Sequence, residues 1–299
     1  MRIAITGSSG LIGSALLRSL RADGHEVVRL VRQRPTAPDE ARWDPSGGRV
    51  DPAALDGLDG LVHLAGAGIG DRRWTAAYKR RIRDSRVRGT TTLAEAVAAL
   101  PTPPRVLVCA SGISYYGDTG DRPVDEEAPG GSGFLADVCR EWEAAAAPAR
   151  KAGVRTVFAR TGMVVSGDGG AWGQRLMPLF RAGLGGRVGN GRQYWSFISL
   201  RDHVAALRRL LADDRFDGPV NVTGPRPVTN AELTAVMGRV LRRPAVFTAP
   251  APALRLALGD FADELLASTR VVPARLLDAG FTFAHPGIED AVRAAAARR

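Results

Sequence analysis

Cysteine, histidine and aromatic residues are all scarce in this chain. Two cysteines and four histidines occur among 299 residues, and aromatic residues make up 6%. Two cysteines do not suggest a disulfide framework, and the scattered histidines lack the spacing of a zinc site. No apolar run is long enough to span a bilayer, and the start shows no apolar segment followed by a cleavage site. We therefore expect a cytoplasmic protein with no metal site and no membrane partner.

Acidic residues are too few to balance the basic ones. Asp and Glu number 31 against 41 Lys and Arg, which gives a formal net charge of +10. The densest basic cluster, residues 71–88, carries few aromatic side chains for base stacking and matches no recognition motif. Because surplus charge alone does not define a partner, we predict no nucleic-acid partner. Nucleic-acid binding by the basic face stays open as a third hypothesis.

The most informative feature that is present is a glycine-rich turn between the first strand and the first helix. In such a turn the first glycine permits the bend, the second lets a pyrophosphate approach the backbone, and the third lets the helix lie close on the sheet. The helix N-terminus then presents free N–H groups and a partial positive charge to the anion. The spacing predicts a dinucleotide site at Gly7, Ser9, Gly10, Leu11, Ile12 and Gly13.

The end of the second predicted strand indicates which dinucleotide binds. About 20 residues past the glycine turn, an NAD-binding protein normally has an acidic residue for the ribose hydroxyls. This chain has Arg32-Gln33-Arg34 there. A guanidinium can pair with a 2′-phosphate, which a carboxylate would repel. We predict NADP(H) as the cofactor, with Arg32 at the 2′-phosphate; a solvated basic loop is the alternative.

Strand and helix patterns alternate along the chain, which predicts an α/β fold: a Rossmann-type doubly wound parallel sheet with a smaller C-terminal substrate-side lobe. Predicted strands are Arg2–Thr6, Glu26–Val31, Gly60–Leu64, Arg105–Ala110, Thr156–Thr161 and Val220–Val222. Predicted helices are Leu11–Ala22, Ala76–Leu100, Gly133–Ala152, Leu200–Ala212, Asn230–Leu241 and Ala251–Leu266. Residues 34–54 are predicted to be a connecting excursion. We expect a nucleotide-binding domain at 1–162, to which 193–225 return, and the lobe mostly at 163–299.

Several motifs occur in an order that resembles a known family. They are the glycine turn, residues 62–66, Tyr116-Gly117, Arg160-Thr161-Gly162 and residues 193–202. Together they resemble the extended short-chain dehydrogenase/reductases, the branch of sugar-nucleotide epimerases and dehydratases. A second set of segments is similar to the YfcH-like epimerase-family proteins, which have a C-terminal domain of unknown function: residues 70–74, 84–86, 115–118, 142–143, 183–186, 189–193 and 273–281. The resemblance implies NADP(H) and further cofactor contacts at Leu64, Ala65, Gly66, Arg86 and Arg160, with Arg86 at a phosphate.

The catalytic pair that this resemblance implies is missing. Active members of the superfamily use a Ser or Thr after the fourth strand and a Tyr-x-x-x-Lys pair on the next helix, where the Lys lowers the Tyr pKa for proton transfer. Ser111 matches the Ser. Counting back from Trp142-Glu143, the Tyr position falls on Leu135 and the Lys position on Cys139, and a slip of one residue does not restore the pair.

The remaining candidates for catalysis are Ser111, as a group that contacts a substrate oxygen, and Tyr116, as a substitute phenol. A turn-capping Ser and a packed Tyr are the structural alternatives. Cys139 is a candidate thiol, with a small buried side chain as the alternative. Candidate substrate-binding residues in the lobe are Trp172, Gln174, Arg187, Arg192, Gln193, Tyr194 and Trp195.

These features predict an NADP(H)-dependent oxidoreductase or epimerase-like protein with a small-molecule substrate. The missing pair leaves a second hypothesis open, namely a redox sensor or regulator that binds NADP(H) without catalysis. Superfamily relatives often pair through the helices that flank the strand bearing Ser111, so the resemblance also allows a homodimer.

Overall fold

A mostly parallel sheet of eight strands forms the centre of the molecule, as described for residues 1–297 by the computed structural model. In chain order the strands are β1 (Arg2–Thr6), β2 (Glu26–Val31), β3 (Glu40–Asp44), β4 (Arg49–Val50), β5 (Gly60–His63), β6 (Val106–Gly112), β7 (Arg155–Thr161), β8 (Met163–Val165), β9 (Gly186–Val188), β10 (Tyr194–Trp195), β11 (Phe197–Ser199), β12 (Gly218–Val222), β13 (Val228–Thr229) and β14 (Phe247–Ala249).

The helices lie on both faces of this sheet and in the lobe. They are α1 (Leu11–Ala22), α2 (Ala76–Ala98), α3 (Phe134–Ala144), α4 (Ala147–Lys151), α5 (Met177–Arg181), α6 (Leu200–Ala212), α7 (Asn230–Leu241), α8 (Ala251–Leu258), α9 (Phe261–Leu266), α10 (Ala274–Asp278) and α11 (Ile288–Ala297). Single turns of 3-10 helix occur at Pro52–Ala54 and Ile113–Tyr116, and a π-helical turn occurs at Trp172–Leu176.

The strand order of the central sheet is β12-β7-β6-β5-β1-β2-β3-β4. All neighbouring strands are parallel except β3 and β4. The chain leaves β1 toward β2 on one side and reaches β5 on the other, so the order reverses between β1 and β5. In sheets of this kind ligands bind at that reversal, beyond the carboxyl ends of the strands. The glycine turn directly follows β1 and therefore lies at this point.

Alternation along β1 explains why helices cover both faces. Ile3 and Ile5 point into one apolar cluster together with Leu16 of α1 and Leu207 of α6. Ala4 points to the opposite cluster, which α2 and α4 cover. Successive side chains of a strand face opposite sides, so a central strand that is buried on both faces is apolar almost throughout. The predicted doubly wound parallel sheet is confirmed.

A third apolar cluster belongs to the C-terminal part of the chain. Trp172, Phe180 and Phe197 pack there with the facing sides of α7 and α11. Strand β12 belongs to the central sheet, and α6 packs on that sheet. The chain therefore returns to the sheet after residue 197. The boundaries 1–162 and 163–299 stay a prediction, and the last two residues of that range lie outside the described residues.

Three predicted elements differ from the structure. The prediction that residues 34–54 only connect other elements was wrong, because β3 extends the sheet beside β2 and places Trp43 in the core. The predicted helix 133–152 divides into α3 and α4, with Pro148 in the first turn of α4, where its missing N–H costs nothing. The predicted helix 251–266 is interrupted at Gly259, whose φ of +63° ends α8.

None of the helices within residues 1–297 combines the length and the apolar character needed to cross a lipid bilayer. Residence in the cytoplasm stays a prediction.

Candidate functional site

The glycine turn is closed so tightly that side chains cannot enter it. Gly7 has a φ of +68°, and a Cβ placed on Gly13 would lie 2.1 Å from the Gly7 carbonyl oxygen. A Cβ on Gly10 would meet nothing closer than 3.4 Å, and Ser9 and Gly10 are exposed. No side chain caps the N-terminus of α1, and its first turn contains no acidic residue. Its first amides are therefore free for an anionic ligand.

A buried hydrogen-bond network joins the glycine turn to the end of β5. Thr6 Oγ1 accepts from the backbone N–H groups of Leu64 at 3.1 Å and Ala65 at 3.2 Å, so its own proton goes to His63 Nδ1, 2.7 Å away. Burial lowers the pKa of His63 to about 3, with the Arg86 charge acting in the same direction. The imidazole is therefore neutral, and it holds the two loops at the sheet reversal in fixed relative positions.

Arg32 follows the end of β2 and is exposed. It makes no hydrogen bond or ion pair to any residue between 1 and 297. The acidic residues nearest in sequence are already paired: Glu26 with Arg2 at 2.9 Å, and Asp39 and Glu40 with Arg29 at 2.6 Å and 2.9 Å. The Arg29 contact is the main reason that the pKa of Asp39 falls to about 2. The Arg32 guanidinium is therefore free to pair with an anionic ligand.

Arg86 of α2 lies beside the loop that follows β5, on the other side of β1 from Arg32. Its Nη1 donates to the carbonyl oxygens of Ala67 at 3.0 Å and Ile82 at 3.1 Å, and its Cζ lies 5.0 Å from the centre of the Trp142 ring. A Cβ on Gly66 would lie 3.4 Å from that Cζ, so the glycine leaves room for the guanidinium. Burial lowers the pKa of Arg86, and no carboxylate of the described chain pairs with it.

A buried polar network lies at the carboxyl ends of β6 and β7. Ser111 Oγ donates to Glu143 Oε1 at 2.7 Å, and Arg160 binds both oxygens of Glu143 at 2.9 Å. The Nη1 of Arg160 donates to the Tyr116 hydroxyl at 2.9 Å, and that hydroxyl donates to Asn221 Oδ1 at 2.8 Å. Each nitrogen of Arg160 thus has a partner inside the protein.

This network determines what its members offer a ligand. Burial raises the pKa of Tyr116 to about 12, although Arg160 opposes the shift, so the phenol stays protonated. The Ser111 proton is directed to Glu143, which leaves only lone pairs of its oxygen for another group. The bidentate contact with Glu143 raises the pKa of Arg160 in spite of burial. The catalytic roles of Ser111 and Tyr116 and the cofactor role of Arg160 stay predictions; the observed contacts are those of a structural network.

Helix α3 carries the two positions of the missing catalytic pair. Leu135 is buried among Trp74, Tyr78 and Ile82 of the preceding loop and α2. Cys139 lies one turn later, with Sγ 3.6 Å from the Gly112 carbonyl oxygen. Burial raises the pKa of Cys139 to about 11, so it is a neutral thiol rather than a nucleophilic thiolate.

Comparisons with known proteins agree with this geometry. The family model described as the NAD dependent epimerase/dehydratase family matches residues 3–224, and a domain of unknown function (DUF1731) matches residues 249–295. The chain belongs to the NAD dependent epimerase/dehydratase family. The resemblance stated from the sequence motifs is confirmed, and the predicted class of cofactor agrees with the description of this family.

Relatives within the family match along the whole chain. Epimerase family protein Mb2239 of Mycobacterium bovis is 49% identical over 297 residues, covering 99% of this chain and 98% of that protein. The crystal structure of human epimerase family protein SDR39U1 (isoform 2) with NADPH has a TM-score of 0.92 and 33% identity, covering 100% of both chains. A nucleoside-diphosphate sugar epimerase from Corynebacterium glutamicum has a TM-score of 0.81 and 38% identity, covering 99% of this chain and 58% of that chain.

The lobe of this family member closes on the glycine turn. A Cβ on Gly170 would lie 2.9 Å from a methyl group of Leu11, so this loop lies directly against the start of α1. Trp172 is buried in the core of the lobe and is not a ligand-facing aromatic. Gln193 is also buried and binds the Val188 carbonyl oxygen at 2.9 Å.

The other predicted substrate-binding residues of the lobe divide by their contacts. Arg187 and Arg192 are exposed, and their side chains have no partner among residues 1–297. Tyr194 packs under the Arg270 guanidinium at 4.5 Å, and Trp195 lies against the lobe core. Of the predicted residues, the two arginines are therefore the free cations of this region.

Sequence reasoning gave no role to three residues that the fold places at the site. Glu143 was visible next to Trp142, but its bond to Arg160 depends on how α3 lies on β7. Asn221 is buried and binds Tyr116 from the sheet edge. Glu264 belongs to α9, which packs through Phe261 in the apolar cluster of Leu135 at the start of α3. Sequence spacing could not predict these contacts, because each contact joins segments that are distant in the chain.

Proposed function

We propose that this protein binds NADP(H) and acts as an oxidoreductase or epimerase on a small molecule that carries a carbonyl or hydroxyl group. The observation that carries the proposal is an uncapped α1 N-terminus at the reversal of the sheet together with the unpaired cation Arg32 at the end of the neighbouring strand β2. The amides of residues 9–12 and Arg32 would hold the diphosphate and the 2′-phosphate respectively. The NADPH in the human relative's structure supports this choice of cofactor.

The residues present fit a dinucleotide. A Cβ is excluded at Gly7 and Gly13, whereas Gly10 opens to the exposed side, where a diphosphate needs close approach to the backbone. When bound, NADPH supplies a hydride, which carries two electrons, and NADP⁺ accepts a hydride. The chain itself supplies binding, orientation and proton transfer. The C. glutamicum relative, a nucleoside-diphosphate sugar epimerase, supports a nucleotide-linked substrate whose phosphates would meet Arg187 and Arg192.

A redox sensor that binds NADP(H) without turnover is the second candidate. The observation that favours it is the replacement of the catalytic pair by Leu135 and Cys139, neither of which can exchange a proton near pH 7. Such a protein would respond to the ratio of NADPH to NADP⁺ through a difference in conformation or affinity.

Two measurements test these proposals. Isothermal titration calorimetry with NADPH and NADH should detect NADPH binding and much weaker NADH binding; no heat from either nucleotide would refute both candidates. NADPH consumption is then followed at 340 nm across a panel of carbonyl compounds and nucleoside-diphosphate sugars. Turnover of any member supports the enzyme, whereas tight binding without turnover across the panel supports the sensor.

A further inference from the structure

Strand β3 brings a second arginine to the end of β2. Arg42 of β3 is the register partner of Val31, the last residue of β2, and the two strands are parallel. Neighbouring strands lie about 4.8 Å apart, so Arg42 is close to Arg32, which follows Val31 in the chain. Both arginines therefore lie at the carboxyl edge of the sheet, to which the glycine turn also belongs.

The register of β2 and β3 fixes the face of the sheet on which the Arg42 side chain lies. Two residues earlier in each strand, the register partners Arg29 and Glu40 bind each other at 2.9 Å. Side chains at i and i+2 of a strand share a face, so Arg42 lies on the face of this ion pair. Trp43, the next residue, is buried in the apolar cluster on the opposite face, as the alternation requires.

Helix α1 covers this same face. Arg29 binds Asp39 at 2.6 Å, and Asp39 also pairs with Arg21 in the last turn of α1. From Arg21 the helix runs back to the glycine turn, so its uncapped N-terminus lies at the carboxyl edge of the sheet. Arg42 and the free amides of α1 therefore share both an edge and a face of the sheet.

Arg42 has no counter-charge within the described chain. It is exposed, and its side chain bonds to no other residue from 1 to 297. The carboxylates nearest to it in sequence have other partners: Glu40 binds Arg29, and Asp44 accepts from two backbone N–H groups of the following turn at 3.0 and 3.1 Å. The chain bends at Arg32, beyond the last pair of β2 and β3, so strand alternation does not hold that side chain on the opposite face. Adjacent strand ends thus carry two free guanidinium groups, and an anion bound between them would offset their repulsion.

We propose that Arg42 is a second cation for the 2′-phosphate of NADP(H), which is held between Arg32 and Arg42. This inference rests on the proposed function and adds a specificity-determining residue to it. A phosphate monoester carries about −1.5 to −2 charges at neutral pH, so one guanidinium neutralises it only in part, and each guanidinium can bond to two of its oxygens. NADH has a hydroxyl group in place of this phosphate, and Arg42 therefore contributes little to NADH binding.

Titration calorimetry with NADPH and NADH tests the role of Arg42. In Arg42→Gln we expect the Kd of NADPH to rise about tenfold, because one charge-assisted contact is lost, and the Kd of NADH to stay within about twofold. The control is Arg18→Gln, which removes the same charge from an exposed position about two turns along α1 and should leave both Kd values unchanged. Unchanged NADPH affinity in Arg42→Gln, or an equal loss of affinity for both nucleotides, would overturn the proposal.

A double variant tests whether both arginines hold the same phosphate. In Arg32→Gln/Arg42→Gln the preference for NADPH over NADH should disappear, so that the two Kd values become roughly equal, whereas each single variant should keep part of the preference. A double variant that keeps the same preference as Arg32→Gln alone would show that Arg42 does not bind the phosphate.

Arg42→Lys provides the same comparison with the charge retained, and it replaces Arg42→Gln if that variant fails to fold. An ammonium group keeps the charge but not the bidentate contact, so the Kd of NADPH should rise about threefold and that of NADH should not change. Equal changes for both nucleotides, or no change for NADPH, would overturn the role of Arg42 while NADPH binding still upheld the proposed function. Absence of NADPH binding to unmodified protein would instead refute the proposed function.

Discussion

The two ends of the crevice follow the family pattern to different degrees. At the predicted adenosine end, formed by the glycine turn, residues 64–66 and Arg32, the turn leaves no room for a Cβ at Gly7 or Gly13, and Arg32 has no partner among residues 1–297. At the reaction end, formed by β6, β7 and α3, the residues are mostly bound to one another and the catalytic pair is absent. The difference indicates that the glycine turn depends on local backbone geometry, whereas the reaction end depends on contacts between distant segments of the chain.

The largest effect is expected from breaking the ion pair at the reaction end. Arg160→Met should lower the free energy of unfolding by about 3–5 kcal/mol, since it leaves Glu143 buried without its partner. Urea denaturation followed by circular dichroism measures this loss. The control is Arg83→Met, which breaks the exposed pair of Arg83 with Glu141, a residue of α3 like Glu143. This variant should lower the free energy of unfolding far less. Similar losses in both variants would show that the buried network is not the stabilising element of this end.

A second effect should separate folding from binding at the adenosine end. Gly13→Ala places a methyl group 2.1 Å from the Gly7 carbonyl oxygen and should destabilise the fold by about 3 kcal/mol. Gly10→Ala meets no atom closer than 3.4 Å and should keep its stability but lose NADPH affinity, because its methyl group occupies the space of the diphosphate. Thermal denaturation measures the stability of both variants, and titration calorimetry measures their NADPH affinity. An unchanged NADPH affinity in Gly10→Ala would contradict the placement of the diphosphate.

The choice between NADPH and NADH depends on Arg32 at the same end. Arg32→Asp should weaken NADPH binding by about 1.5–3 kcal/mol, roughly ten- to a hundredfold, and should affect NADH far less. Titration calorimetry with both nucleotides provides the comparison. Arg34→Asp, two residues further along the loop, is the matched control. An equal loss for both nucleotides in Arg32→Asp would show that Arg32 does not contact the 2′-phosphate.

The smallest effect concerns pH and the neutral His63 beneath the glycine turn. Its pKa of about 3 in the folded protein lies below the ordinary value near 6.5, so the unfolded chain binds more protons between these limits. The associated stability is complete above pH 6.5 and is lost as the pH falls toward 3; the loss from pH 7 to pH 5 is about 2 kcal/mol. In His63→Asn, which keeps an acceptor for Thr6, the dependence of the urea midpoint on pH should be weaker by this amount. An unaltered pH dependence would mean that the pKa of His63 is the same in the folded and the unfolded protein.

Much of the fold follows from the sequence because its signals are local. The apolar run of β1, the three glycines and the periodicity of α1 and α6 lie within short windows, and the structure places these elements close to their predicted bounds. The strand β3 was missed because its residues, Glu-Ala-Arg-Trp-Asp, carry polar side chains toward a partly exposed sheet edge. Only its pairing with β2 and the burial of Trp43 make it a strand.

The sequence by itself determined the doubly wound fold, the family and the likeness to a dinucleotide site at Gly7–Gly13. These depend on spacings of a few residues, which fix backbone conformation and side-chain periodicity. The tertiary structure alone decided that Glu143 holds Arg160, that Arg86 packs on Trp142 without a carboxylate partner among residues 1–297, and that α9 packs at the start of α3. Those contacts join distant segments, and their burial, which shifts the pKa values, exists only once the helices have packed on the sheet.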